Sequence, residues 1–182
     1  GNFTNASPIG DLTIFFLALK ASVILNNGNA QRQLKLADFY KGYKTLDKLP
    51  GEYMEKILFD LPGENDLFNF EKVCKRTHLD IASVNAAIHL KMKDDVIIDA
   101  GLSAGGVGPV PLFLQKCSSF LAGKKVSASL ISELVSLAQE EIKPISDTRG
   151  TETYKRLLLS QLIKAHFIKL FPVLKPAEVI HA

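Results

Sequence analysis

Strands followed by a run of helices predict an α+β fold. Three features of the sequence carry the prediction. Asn27-Gly28 separates two short extended runs, which is a strong hairpin signal. Extended segments then occupy about residues 68 to 104, and the chain beyond them reads as three helices, each stopped by Gly or Pro.

The elements follow in order. Ser7-Pro8 supplies an N-cap residue and a favoured first helical residue, and Leu12, Phe15, Phe16 and Leu19 then recur at helical steps. A helix over about residues 8–20 is expected, with that apolar stripe facing the core and Asp11 in its first turn. Strands at 22–25 and 32–36 flank the Asn-Gly turn, a helical turn follows at 38–43, and a strand at about 53–61 comes after Leu49-Pro50-Gly51. The polar run 62–66 is the expected boundary between two units, residues 1 to 62 and 65 to 175. The second unit should contain strands at 68–75, 84–92 and 96–104. Helices should follow at 111–122, stopped by Gly123, at 129–142, before Pro144, and at 152–171, before Pro172. In the last helix Tyr154, Leu157, Leu158, Leu162 and Ala165 are expected to face inward.

Composition excludes several classes. The chain has 182 residues, 47% of them hydrophobic and 23% charged, so it can bury a sizeable core and is not a disordered tract. The net charge of +3 is spread along the chain without a basic stripe, which gives no reason to expect a nucleic-acid partner; Lys124 and Lys125 read as solvated turn residues. No apolar run approaches the roughly 18 residues of a membrane span. Cys74 and Cys117 stand alone, without metal-ligand spacing, and suggest free thiols in a reducing cytoplasm. The triplets at Asn2 and Asn5 match the glycosylation pattern, a short pattern that carries little weight.

Residue chemistry alone assembles no catalytic constellation. His78, His89, His166 and His181 are scattered, and are read as packed or exposed side chains. Gly105-Gly106-Val107-Gly108 could suggest a phosphate loop. It lacks the third glycine at the required spacing, and Pro109 and Pro111 carry no amide donors, so a tight turn is the better reading. Residues 2–11 could be a simple helix cap or a site for an anion or sugar hydroxyls. Lys72, Lys75 and Arg76 could be a solvated strand face or part of such a site.

Several ordered blocks resemble the flavoprotein subunit of xanthine dehydrogenases and related molybdenum hydroxylases. They are Gly1-Asn2 with Asn5-Ala6-Ser7-Pro8-Ile9-Gly10-Asp11, Pro50-Gly51-Glu52-Tyr53, Lys72-Val73-Cys74-Lys75-Arg76 with Asp80-Ile81-Ala82, Ala104-Gly105-Gly106-Val107, and Pro144-Ile145-Ser146-Asp147-Thr148-Arg149 with Tyr154-Lys155-Arg156. The first block and Pro-Gly-Glu point toward xanthine dehydrogenase within the wider family.

The resemblance implies an electron-transfer subunit that holds FAD between the iron-sulfur centres of its partners and NAD, with substrate oxidised at a molybdenum cofactor elsewhere. It assigns FAD contacts to Asn2, Ser7, Asp11, Met54 and Lys72, where many relatives have another aliphatic residue in place of Met54. Arg76 and Asp80 match a segment near the flavin, and Leu79 stands where some relatives carry an acid. Residues 1 to 62 would be the end of an FAD-binding α/β subdomain, and 65 to 175 a CO dehydrogenase flavoprotein C-terminal-like domain. The family's amino-terminal glycine-rich loop has no counterpart in the sequence, so a fragment that is inactive alone and self-associates through uncovered strand edges is expected. Alternatives are the flavin subunit of a CO- or aldehyde-type hydroxylase, or a non-redox assembly module of the same fold.

Overall fold

The first helix, α1 (Asp11–Ala18), starts later than the sequence suggests, and of the expected stripe only Leu19, just past its end, is buried. Its N-cap is Gly10, which has no side chain to offer, and Ser7 lies outside the helix. Buried positions are Thr13, Ile14, Leu17 and Ala18, whereas Leu12 is 51% exposed and Phe15 and Phe16 are only partly covered. A helix apolar on nearly every side has no stripe to read. Phe15 and Phe16 instead join a chain of ring contacts with Phe3, Phe59 and Phe68.

The computed structural model describes residues 1–76 and 81–180; expectations placed on His78, Leu79, Asp80 and His181 lie outside them. After α1 come β1 (Ser22–Asn26) and β2 (Gln31–Lys35), the expected hairpin, with Gly28 at a φ of +92° in its turn. Next are α2 (Leu36–Phe39), β3 (Tyr40–Gly42), β4 (Thr45–Leu46) and β5 (Tyr53–Leu58). β1 pairs antiparallel with both β2 and β5, giving a sheet in the order β2-β1-β5.

The second sheet is built from β6 (Asp66–Cys74), β7 (Ala82–Lys93) and β8 (Val96–Gly105), all antiparallel. Residues 111–122 prove not to be one helix: β9 (Leu112–Phe113) first adds to β8, and only then does α3 (Gln115–Leu121) begin. Pro111 and Leu114 lie outside regular helix, and the helix start is capped by Glu141, whose carboxylate accepts from the Lys116 and Cys117 amides. Lys124 and Lys125 form β10 (Lys124–Lys125) on the same edge of β8 as β9, the edge away from β7, a correction to their reading as turn residues. The helices α4 (Ala128–Glu141) and α5 (Glu152–Leu170) fall within two residues of expectation, and α6 (Pro176–Ile180) was not foreseen. Ser127 and Thr151 cap α4 and α5 by accepting amides three residues on. The observed architecture is α+β, with antiparallel sheets and helices.

β7 explains how the two sheets join. Every residue from Ala82 to Leu90 is buried, because α1 covers one face of this strand and α5 the other. Ala87 accordingly packs with Ile14, Leu17 and Val23, while its neighbours Ala86 and Ile88 pack with Leu159, Ile163 and Phe167. Its even positions, Ala82 to Leu90, are all apolar, and Ser83, Asn85 and His89 alternate with them as buried polar residues.

On α5 the expected inward face is partly wrong. Leu158 and Leu162 are buried, but Tyr154 and Leu157 are 40% and 55% exposed and Ala165 is half-buried. Buried in their place are Lys155, Leu159, Ile163, Lys164, His166 and Phe167. The misreading follows from the two lysines, whose ammonium groups reach Asp147 and the carbonyls of Ile145 and Ile180.

His166 is fully buried, its Nδ1 accepts from Asn69 Nδ2 at 2.9 Å, and Nε2 has no hydrogen-bond partner among the described residues. Burial pushes its imidazole down to about 3 from the ordinary 6.5. Because the folded value lies below the unfolded one, the unfolded chain takes up the proton first. Stability is therefore full above about pH 6.5 and falls as pH drops toward 3. Between pH 6.5 and 5 the loss should be about 2 kcal/mol, from about 1.4 kcal/mol per unit. Urea unfolding across that range should show this slope in the native chain and its disappearance in His166→Leu; an equal slope in both would show that other groups set it.

Candidate functional site

The site forms where the start of α1 meets the second sheet. In that sheet Lys72 of β6 lies directly opposite Asn85 of β7, and Asn85 lies opposite Gly105 of β8. One row of the sheet thus carries an ammonium, an amide and no side chain at all. The segment before α1 enters over this row: Gly106, at φ +81°, donates its amide to the Pro8 carbonyl at 3.0 Å. A Cβ at Gly105 would come within 2.2 Å of Asn85 Oδ1 and 2.8 Å of the Pro8 carbonyl, so only glycine admits the approach. The glycine cluster is a packing device, in keeping with its reading as a tight turn.

Asp11 is thereby brought to Lys72 and Asn85. Its Oδ2 accepts from Lys72 Nζ at 2.8 Å, and its Oδ1 from Asn85 Nδ2 at 2.6 Å. Asp11 and Lys72 are about 40% and 36% exposed, so the pair stands at the surface. A carboxylate held this way can accept further hydrogen bonds from hydroxyl or ring N–H groups, and the lysine can neutralise an anionic ligand.

Asn2 and Ser7 lie in the segment before α1, and Met54 lies on β5. Asn2 Oδ1 accepts from the Thr13 amide at 3.3 Å and from Thr13 Oγ1 at 3.1 Å, so this oxygen serves α1 from a distance in sequence. Ser7 Oγ accepts weakly from the Ile9 amide at 3.4 Å. Met54, on β5, lines a cleft of about 510 Å³ together with Gly1, Phe3, Glu52 and Ile57. Asp11 and Lys72 therefore meet at one corner and Met54 lines a different cleft, while Asn2 and Ser7 lie in the segment before α1 and contact neither.

Other contacts fasten this segment. Tyr40 Oη donates to the Phe3 carbonyl at 3.2 Å, and burial pushes the phenol up to about 12. Beneath the cleft the Arg32 guanidinium grips Glu52 through two contacts, Nε–Oε1 at 2.7 Å and Nη2–Oε2 at 2.9 Å, and holds that carboxyl down to about 2. Glu52 of the Pro-Gly-Glu block therefore has a structural partner of its own. Lys75 donates to the Thr148 carbonyl at 2.7 Å, which corrects the reading of the cationic run as merely solvated.

Asn85 was missed by sequence reasoning. It is fully buried, and it stands in the otherwise apolar run Val84-Asn85-Ala86-Ala87-Ile88. An amide at such a position was the available signal.

Comparison with known proteins identifies the family. Residues 1–60 match the FAD binding domain in molybdopterin dehydrogenase. The glyceraldehyde dehydrogenase medium chain of Sulfolobus acidocaldarius is 32% identical over 92% of this chain and 59% of its own length. Xanthine dehydrogenase 1 of Arabidopsis thaliana is 30% identical over 90% of this chain, which covers 13% of that longer protein. Carbon monoxide dehydrogenase from Hydrogenophaga pseudoflava shares the fold at a TM-score of 0.88 with 20% identity, across 94% of this chain and 60% of the matched one. The chain thus spans about 59% of the length of the medium-chain relative. Residues 70–170, more than half of the sequence, match the CO dehydrogenase flavoprotein C-terminal domain, and the chain belongs to that family.

Proposed function

We propose that this chain is part of an FAD-holding electron-transfer subunit in a molybdenum hydroxylase of the xanthine dehydrogenase type, in which electrons pass from iron-sulfur centres through FAD to NAD. The observation that carries the reading is the convergence of Asp11 and Lys72, chosen from separate blocks of sequence, within 2.8 Å of each other. The residues suit FAD: a carboxylate for ribityl or ring hydrogen bonds, a lysine for negative charge, and a separate cleft at Met54, where apolar Phe3 and Ile57 stand beside charged Lys48, Glu55 and Lys56, for another portion of a long ligand. FAD would supply the redox chemistry when bound. The chain's residues would bind it, orient it and set the charge beside it, with Asn2 and Ser7 ordering the segment between the two contact places.

The test uses the full-length subunit that contains this chain. Asp11→Ala and Lys72→Ala should each weaken FAD binding by about 1.5 to 3 kcal/mol, as expected for a desolvated charge-assisted contact. Exposure at the mouth argues for the lower figure. Equilibrium dialysis against FAD reads the affinity, and unfolding of the apoprotein reads stability. Unchanged affinity in both variants refutes the reading; a fall in apoprotein stability without a change in affinity assigns the pair a structural role.

A CO- or aldehyde-type hydroxylase is the second reading, favoured by the similarity to the glyceraldehyde dehydrogenase medium chain. Steady-state turnover of the assembled complex, supplied in turn with xanthine or an aldehyde and with NAD or an artificial dye as acceptor, separates the two. Reduction of NAD with xanthine supports the first, and aldehyde oxidation without NAD reduction supports the second.

A further inference from the structure

Two donors from neighbouring strands converge on one carboxylate at the start of α1. Lys72 and Asn85 are directly opposed in the β6–β7 register, so their side chains leave the same face of the sheet side by side. Lys72 reaches one oxygen of Asp11 and Asn85 the other. The lysine has a flexible stem and an exposed head, which alone would leave the carboxylate free to rotate. Asn85 differs, being short and fully buried.

The orientation of the Asn85 amide follows from its surroundings. Nδ2 faces two acceptors, Asp11 Oδ1 at 2.6 Å and the Ile9 carbonyl at 3.2 Å, so the NH₂ group must point toward α1. Oδ1 then points toward Gly105 and has no hydrogen-bond partner among the described residues. A buried amide with an unsatisfied oxygen is a poor choice for stability alone. The compensating feature is that one rigid amide ties both the backbone leading into α1 and the carboxylate on its first residue.

We propose that Asn85 is a positioning residue for the flavin site, fixing the plane of the Asp11 carboxylate so that its remaining acceptor positions face the ligand. The inference rests on the FAD reading above and adds to it a residue that does not itself touch the ligand. Asn85 acts through Asp11. Its loss should therefore matter only while Asp11 is present, whereas a residue that merely stabilises the fold would act independently of Asp11.

A double-mutant cycle on FAD affinity in the full-length subunit tests this, with flavin fluorescence titration as the readout. Asn85→Ala should weaken FAD binding about ten-fold. Asp11→Ala should weaken it by at least as much, and adding Asn85→Ala to that variant should change nothing further. Asn85→Leu keeps the shape and removes the amide donor; it should lose as much as Asn85→Ala, and it serves where the alanine variant does not fold. Undiminished FAD binding in Asp11→Ala overturns the inference, and undiminished binding in Lys72→Ala as well overturns the FAD reading itself. Weakened binding in Asp11→Ala together with unchanged binding in both Asn85 variants, or independent and multiplicative losses in the double variant, overturns the inference alone.

Discussion

Gly101→Ala should destabilise the fold by about 3 kcal/mol, the upper part of the range for overpacking a core. Gly101 lies in β8 where α1 crosses the sheet, and a Cβ there would stand 2.0 Å from the Ala18 carbonyl oxygen and 3.0 Å from its carbon. Both atoms belong to backbone, so no side chain can swing aside. Either α1 must lift from the sheet or β8 must bend away, and each breaks contacts made by Ile14 and Leu17, both essentially fully buried. The same carbonyl end of α1 is coupled to its start, since the helix is only 8 residues long and Asp11 opens it. A displacement at Ala18 should therefore also reach the Asp11–Lys72 contact. Chemical denaturation gives the first effect, and FAD affinity in the full-length subunit the second. A variant with native stability would mean that the helix rides on the sheet less closely than its atoms indicate.

The degree to which the sequence announced this fold varied with the kind of signal. Hairpin chemistry was local and sufficient: Asn27-Gly28 placed β1 and β2 to within a residue or so, because the turn's positive φ is a demand on Gly28 alone. The stops of α4 and α5 were equally local. Facing directions were not. α1 offers apolar residues all round, and which side is covered depends on β7 and β8, some 70 residues away. β9 was hidden for the same reason, since two residues become a strand only by pairing with Ser103 and Ala104.

The candidate site divides along the same line. Asp11 and Lys72 were legible because each stands in a block that resembles a known family, and not through any local pattern that foretells their contact. Their meeting depends on the β6–β7 register, which sets Lys72 opposite Asn85. Asn85 itself was visible only as a polar residue in an apolar run. Its role required knowing that α1 lies above it.

The last block of the resemblance, Pro144 to Arg149 with Tyr154-Lys155-Arg156, has a physical explanation that leads to the second large effect. Lys155 is 2% exposed on α5, and its ammonium reaches Asp147 Oδ2 at 2.8 Å and the Ile145 carbonyl at 2.8 Å. Asp147 also accepts from the Arg149 amide at 2.8 Å, within a short turn closed by Asp147–Gly150 backbone bonds. Burial works against ionising Asp147, but the hydrogen bonds from Lys155 and the Arg149 amide outweigh it and hold the carboxyl below its usual range. The turn in turn presents the Thr148 and Arg149 carbonyls to Lys75 and Ser83, which tie it to β6 and β7 beside the site. Asp147→Ala leaves the lysine charge buried with only a carbonyl for company, and should cost about 3 kcal/mol, the lower end for breaking a buried pair because Asp147 is one-third exposed. Lys155→Met removes the charge and keeps most of the packing volume, so it should cost under about 1.5 kcal/mol. Combined, Asp147→Ala with Lys155→Met should be more stable than Asp147→Ala alone, since the stranded charge is gone. Urea unfolding of the three variants decides the matter: if Lys155→Met proves as damaging as Asp147→Ala, the ion pair itself, rather than the avoidance of an unpaired charge, holds the turn against the sheet.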